Sequence, residues 1–195
     1  MKILLLQGSA RKKGNTATVL GWVADELSSQ GHEVTSVYLN NKDLKGCLAC
    51  TRCKSHTDTI GCVQKDDAFS ILEQMVDSQL VVFASPLYFW GVTGPLKTLI
   101  DRTYSLYTAY HQPDHDSLVK GQRQAVLITG GGPRENNAQE AFTAFSRLKK
   151  PHLSVHVGEL FIGGCSTPEA LGKDIQQQAI DFAGQITGPL AEKGA

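Results

Sequence analysis

The 195-residue chain has five cysteines, and four of them, Cys47, Cys50, Cys53 and Cys62, fall in one polar stretch with the spacing C-x2-C-x2-C-x8-C. Three thiolates at that interval in a non-helical loop can converge on one iron–sulfur cluster, with the fourth ligand coming from further along the chain. Zinc suits the pattern less well, because two separate C-x2-C knuckles would be expected and these overlap. A redox disulfide and plain packing stay open as further readings. The last gap, "KSHTDTIG", is polar and reads as mobile. Cys165, in "GGCS", reads as a small buried residue. The histidines show no metal spacing; His111 and His115 share a loop with Pro113 and read as solvated or as part of a lid.

Three other stretches carry residues suited to an anion and a flat ring. "GSARKKGNT", Gly8 to Thr16, offers the Ser9 and Thr16 hydroxyls, the Asn15 amide and a series of backbone N–H groups where a helix begins, a concavity fit for phosphate. Gly14 is followed by Asn15 and Thr16 rather than by Lys and Ser or Thr, so this is not a Walker loop, and the G-x-G-x-x-G fingerprint is missing here and around Gly130. Pro86, Leu87, Tyr88, Phe89 and Trp90 put three aromatic rings just beyond an apolar run, where they can stack on a planar ligand or face a second copy of the chain. Gly130, Gly131 and Gly132 leave a backbone edge open to close approach, or form a flexible turn. Taken together these features fit a phosphorylated, flat cofactor.

Those stretches need a scaffold that brings their ends together. Short apolar runs alternate with amphipathic stretches along the whole chain, the pattern of a parallel sheet covered by helices on both faces. Strands are predicted at Ile3 to Leu6, Val34 to Leu39, Leu80 to Ala84 and Ala125 to Ile128. An edge strand is read from the alternation of Leu153, Val155 and Val157. Helices follow around Leu20 to Leu27, after the Asp66–Asp67 pair, after a Gly94 cap with Pro95, and over Ala138 to Leu148. A last helix is read as opening on a Ser166–Glu169 capping box, with Ile175, Ala179, Phe182 and Ile186 on its buried side. "YTAYHQPDHD", Tyr107 to Asp116, reads as a loop. Five strands favour the flavodoxin-like order 2-1-3-4-5, whose ligands bind beyond the carboxyl ends of strands one, three and four. The fold class is therefore α/β, a doubly wound five-stranded parallel sheet, read as one domain over 1–195 with a cysteine-bearing loop at 41–62.

"GSARKKGNT" and "SPLYFWGVTGPLKTLIDR" closely resemble the motifs of the NADPH-dependent FMN reductase family of the flavodoxin-like superfamily. That resemblance implies that Ser9, Arg11, Gly14, Asn15 and Thr16 hold the FMN phosphate. It also implies that Pro86 to Trp90 flank the ribityl chain and isoalloxazine, and that Gly130 to Gly132 approach the ring's other edge. It implies NAD(P)H as co-substrate and an FMN-containing oxidoreductase in which the protein positions and polarises, so no side chain is assigned as acid or nucleophile. Arg11, Lys12 and Lys13 form a charge cluster suited to the extra phosphate of NADPH. The cysteine motif, after the second strand and before Asp66 and Asp67, resembles the iron-sulfur flavoproteins, which carry a [4Fe-4S] cluster beside FMN. The gap before Cys62 is longer than is usual there.

Three functions follow as alternatives: a reductase passing hydride from NAD(P)H through FMN to a small acceptor such as a quinone or flavin, an iron–sulfur electron-transfer module fed by ferredoxin, or a thiol- or metal-based redox sensor. A net charge of zero and 41% apolar residues argue against nucleic acid and membrane surfaces as partners. The apolar run near the N-terminus is too short for a signal peptide or a membrane span, so a cytoplasmic location is expected, where thiols stay reduced. The aromatic loop and an apolar Tyr104–Asp116 segment suggest a homodimer or homotetramer.

Overall fold

In the computed structural model, which describes residues 1–56 and 58–190, the apolar runs without polar alternation become the inner strands of one parallel sheet. The strands are β1 (Lys2–Gln7), β2 (Glu33–Tyr38), β3 (Leu80–Pro86), β4 (Arg123–Thr129) and β5 (Val155–Ile162). They pair in the order β2-β1-β3-β4-β5, the flavodoxin-like arrangement expected. Successive side chains point to opposite faces of a strand, and both faces here are covered. Leu4, Leu6, Val81, Phe83, Val126 and Ile128 meet α2 (Asp67–Asp77), α3 (Gly94–Arg102) and α4 (Gln139–His152). Ile3, Leu5, Val82, Ala84, Leu127 and Leu160 meet α1 (Asn15–Ser29) and α5 (Lys173–Thr187).

Several boundaries differ from the sequence reading, each for a local reason. The edge strand starts at Val155, because Leu153 takes a left-handed φ of 51° as the C-cap of α4. Its buried alternation falls on Gly158, Leu160 and Ile162. The Ser166–Glu169 capping box does not open α5: Pro168–Ala170 form a separate 3-10 turn and Gly172 is the N-cap. Thr93, not Gly94, caps α3, with Pro95 in its first turn. Asp66 does cap α2, its carboxylate accepting the Ala68 N–H at 3.2 Å.

The segment read as a loop holds a two-residue ribbon, Tyr107–Thr108 against Asp116–Ser117. Tyr107 packs edge-on against Tyr104 and Tyr110, and all three tyrosines are half-buried. His115 is not solvated, because its two ring nitrogens stand 2.7 Å from the Thr108 carbonyl and 3.0 Å from that of Pro151. An exposed apolar surface therefore remains at the aromatic loop and not at this segment. Thr57, inside the polar gap before Cys62, lies outside the described residues. No helix among the described residues is long and apolar enough to cross a membrane.

Candidate functional site

The carboxyl ends of β1, β3 and β4 bring the three predicted loops to one edge of the sheet. Their backbones are tied to one another. Gly8 N–H donates to the Ala84 carbonyl at 2.8 Å, Leu87 N–H to the Thr129 carbonyl at 2.8 Å, and Gly130 N–H to the Ile162 carbonyl at 2.9 Å. Side chains add cross-links that the sequence reading missed. Thr93 Oγ1 donates to the Gly8 carbonyl at 2.6 Å, and Ser85 Oγ accepts the Thr93 N–H at 3.1 Å. A Cβ on Gly8 would stand 2.8 Å from Leu96 Cβ and 3.2 Å from the Ala84 carbonyl oxygen, so the first loop can leave the sheet here only without a side chain.

Within that loop the buried Ser9 Oγ accepts the Arg11 N–H at 3.1 Å. Gly14 is the N-cap of α1 and supplies no side-chain partner to the first-turn N–H groups, which leaves them for a ligand. Thr16 is buried and turned inward, its hydroxyl 2.8 Å from that of Thr129. It joins the first loop to the end of β4. Asn15 lies by the segment after β5, its Nδ2 3.5 Å from the Ser166 carbonyl, while its buried Oδ1 has no partner among the described residues. An orphaned buried acceptor calls for a donor such as a ligand hydroxyl. Arg11, Lys12 and Lys13 are exposed.

The aromatic loop is a tight reversal. Tyr88 and Gly91 exchange both backbone hydrogen bonds, at 2.9 and 3.0 Å, and Phe89 and Trp90 between them adopt left-handed φ values of 47° and 61°. Two such residues in succession are the pattern of a type I′ turn, which favours Gly or Asn and is strained for aromatic side chains. The turn presents Phe89, 94% exposed, with Trp90 and Tyr88 beside it. Pro86 and Leu87 stay half-buried at the strand end. Gly130 lies under the Phe161 ring and beside Leu87. Gly131 has open space around it, and Gly132 backs onto Gly163 and Asn137. The Gly163–Ser166 segment therefore forms a fourth wall, which the "GGCS" stretch could have signalled. Cys165 there is half-buried, with its Sγ donating to the Ile162 carbonyl at 3.3 Å.

The cysteine stretch lies on the sheet face covered by α2, α3 and α4, against the C-terminal end of α3. Cys47, Cys50, Cys53 and Cys62 are thiols that line one small cavity together with Arg102, Tyr104 and Ser105. The left-handed backbone of Ala49 and Thr51, φ 51° and 57°, turns the chain between successive cysteines. Burial pushes the Cys53 thiol up against the pull of Lys54, and Cys62 and Cys47 push the same way. Lys54 Nζ donates to the Tyr104 and Tyr107 carbonyls and stands 3.7 and 4.4 Å from the centroids of their rings. Burial raises the Asp66 carboxyl, but the hydrogen bond from Arg102 and the Lys45 and Ala68 N–H groups outweigh it and hold Asp66 below the usual carboxylate range. Among the described residues, no three His, Cys, Asp or Glu side chains gather closely enough to hold a single metal ion.

A family model described as NADPH-dependent FMN reductase matches residues 1–150. One iron-sulfur flavoprotein of Archaeoglobus fulgidus is 36% identical over 192 residues, 98% of this chain and 80% of the relative. A second from the same organism is 38% identical over 103 residues, 53% of this chain, and the match spans about half of that relative's length (49%). An azoreductase of Bacillus anthracis superposes with a TM-score of 0.71 over 95% of this chain and 98% of its own at 16% identity, a likeness of fold alone. With the motifs at the strand ends, the family match and the relative that matches 98% of this chain agreeing, the chain belongs to the NADPH-dependent FMN reductase family of flavodoxin-like oxidoreductases.

Proposed function

We propose that the chain is an FMN-dependent NAD(P)H oxidoreductase acting on a small acceptor such as a quinone or a flavin. The observation that carries this reading is the joining of three loops at one sheet edge, where the first turn of α1 has no side-chain cap on its N–H groups. Bound there, FMN would supply the redox chemistry, accepting hydride from a reduced nicotinamide and passing electrons on. The amides after Gly14, with Ser9, Arg11 and Thr16, bind the phosphate or hold the loop that does. Asn15 Oδ1 suits a ribityl hydroxyl. Pro86 to Trp90 and Gly130 to Gly132 bound the ring, and the exposed Phe89 and Trp90 exclude water from it when a nicotinamide or a second copy of the chain covers them.

Anaerobic mixing of the FMN-loaded protein with NADPH tests the proposal. Loss of the flavin's visible absorbance within seconds supports it, and no loss with either NADPH or NADH rejects it. The exposed Lys12 and Lys13 attract the 2′-phosphate of NADPH in this reading. A Lys12→Ala, Lys13→Ala variant should lose preference for NADPH over NADH, and an unchanged preference removes that role.

A second reading is favoured by the four thiols around one cavity: an electron-transfer module in which Cys47, Cys50, Cys53 and Cys62 hold a [4Fe-4S] cluster. The donor set fits, since soft thiolates select such clusters, and the relative that matches 98% of this chain is named an iron-sulfur flavoprotein. Flavin bleaching by reduced ferredoxin but not by NADPH would favour this reading over the first.

A further inference from the structure

The cysteine stretch is closed by a residue outside it. Arg102, the last residue of α3, is 1% exposed, and its guanidinium meets both ends of the stretch. Nη1 donates to the Lys45 carbonyl at 2.8 Å and to Asp66 Oδ2 at 2.6 Å, and Nη2 donates to Asp66 Oδ1 at 3.1 Å and to Cys62 Sγ at 3.2 Å. Asp66 in turn accepts the Lys45 N–H at 2.9 Å. A planar fork of five donors can serve these groups at once, as an ammonium cannot. The same orientation leaves Nε buried without a partner among the described residues. A buried ion pair adds little net stability by itself, so its contribution to folding gives no reason for the fork to be turned onto a sulfur.

Gly61 completes the arrangement. A Cβ there would lie 2.8 Å from the Cys53 carbonyl oxygen and 2.9 Å from Cys53 Cα. Only glycine lets the chain return against Cys53, and the next residue is Cys62. The eight-residue gap is therefore an excursion whose ends meet, and its length does not separate the fourth thiol from the other three.

We propose that Arg102 is a positioning residue for Cys62 as the fourth cluster ligand, and that its N–H donation to that sulfur raises the cluster's reduction potential. The inference rests on the iron–sulfur reading above. A donor on a ligand sulfur stabilises the reduced cluster most, because the added electron increases the charge on the sulfurs.

The test is anaerobic reconstitution of the full chain and of an Arg102→Lys variant with ferrous iron and sulfide, followed by iron assay and redox titration read by electron paramagnetic resonance. The unaltered chain should hold about four irons. The variant keeps the charge opposite Asp66 but loses the fork. It should bind FMN as before and shift its one-electron equilibrium about tenfold toward the oxidised cluster, about 59 mV lower. Equal iron content with an equal potential overturns the inference. If the variant does not fold or loses its iron, the unaltered protein labelled with nitrogen-15 in its arginine guanidino groups decides. A nitrogen coupling to the reduced cluster is expected, and its absence also overturns the inference. If the unaltered chain binds FMN but takes up no iron, the cluster reading itself has failed, and this inference falls with it.

Discussion

Around Gly8, the ends of three adjacent strands, α1 and α3 fix the first loop through backbone hydrogen bonds and the Thr93 and Thr16 hydroxyls, so the end of the molecule proposed for the flavin is held by the sheet register itself. Among the described residues between Lys42 and Lys65 the chain has one short 3-10 turn, Arg52–Ser55, and it is fastened by long side chains: Arg102 reaches in at its base, and its own Lys54 reaches out to Tyr104 and Tyr107. The first region is built before any ligand arrives. The second carries its chemistry on two exposed and two half-buried thiols and depends on a few long-range contacts, so a bound group would contribute much of its order.

That contrast can be broken most severely at Arg102. Arg102→Ala strands Asp66 as a buried, unpaired carboxylate, and urea unfolding should show a loss of about 3–5 kcal/mol. A loss near zero would mean that the cysteine stretch has other support.

Next in size is a pH effect beside the stretch. His152 is 0% exposed, its Nε2 2.9 Å from Thr103 Oγ1 and its Nδ1 against Gln124, and burial lowers its pKa to about 4. The unfolded chain takes up this proton near pH 6.5 and the folded one only near 4. Stability from His152 is therefore full above pH 6.5 and falls by about 3 kcal/mol as the pH drops to about 4. Urea midpoints across that range should show the slope, and a His152→Gln variant should lose it.

At the proposed flavin end the expected effects on folding are smaller and those on affinity larger. Gly8→Ala forces Leu96 and the Ala84 carbonyl apart and should cost about 1–3 kcal/mol in urea unfolding, while weakening FMN binding measured by fluorescence quenching. Trp90→Gly relieves a left-handed aromatic residue and should gain about 1 kcal/mol of stability, yet loosen FMN. A gain in both would remove the aromatic turn from the site.

The sequence was most legible where periodicity and motif coincide. Unalternating β-branched and apolar runs such as "LVVFA", ended by Pro86, read as inner strands, and the loops after them fall at one edge once the strand order is known. Tertiary cross-links were not legible. Nothing in the spacing says that Thr16 faces Thr129, that Thr93 reaches Gly8, or that a motif arginine turns onto Cys62, because each joins residues between 40 and 113 positions apart. The Ser166–Glu169 box misled because Pro168 favours its own 3-10 turn and α5 begins later, at Lys173. His115 looked solvated because a polar loop gave no sign of the Pro151 carbonyl packed against it.

The most direct measurement is a fluorescence titration of the flavin-free protein with FMN and, in parallel, with riboflavin, which differs by lacking the phosphate. If the amides after Gly14 hold that phosphate, one FMN should bind per chain and riboflavin should bind about a hundredfold more weakly, a difference of about 2.8 kcal/mol. Equal affinity for the two, or no binding of FMN, would contradict the placement of the flavin at the three loops.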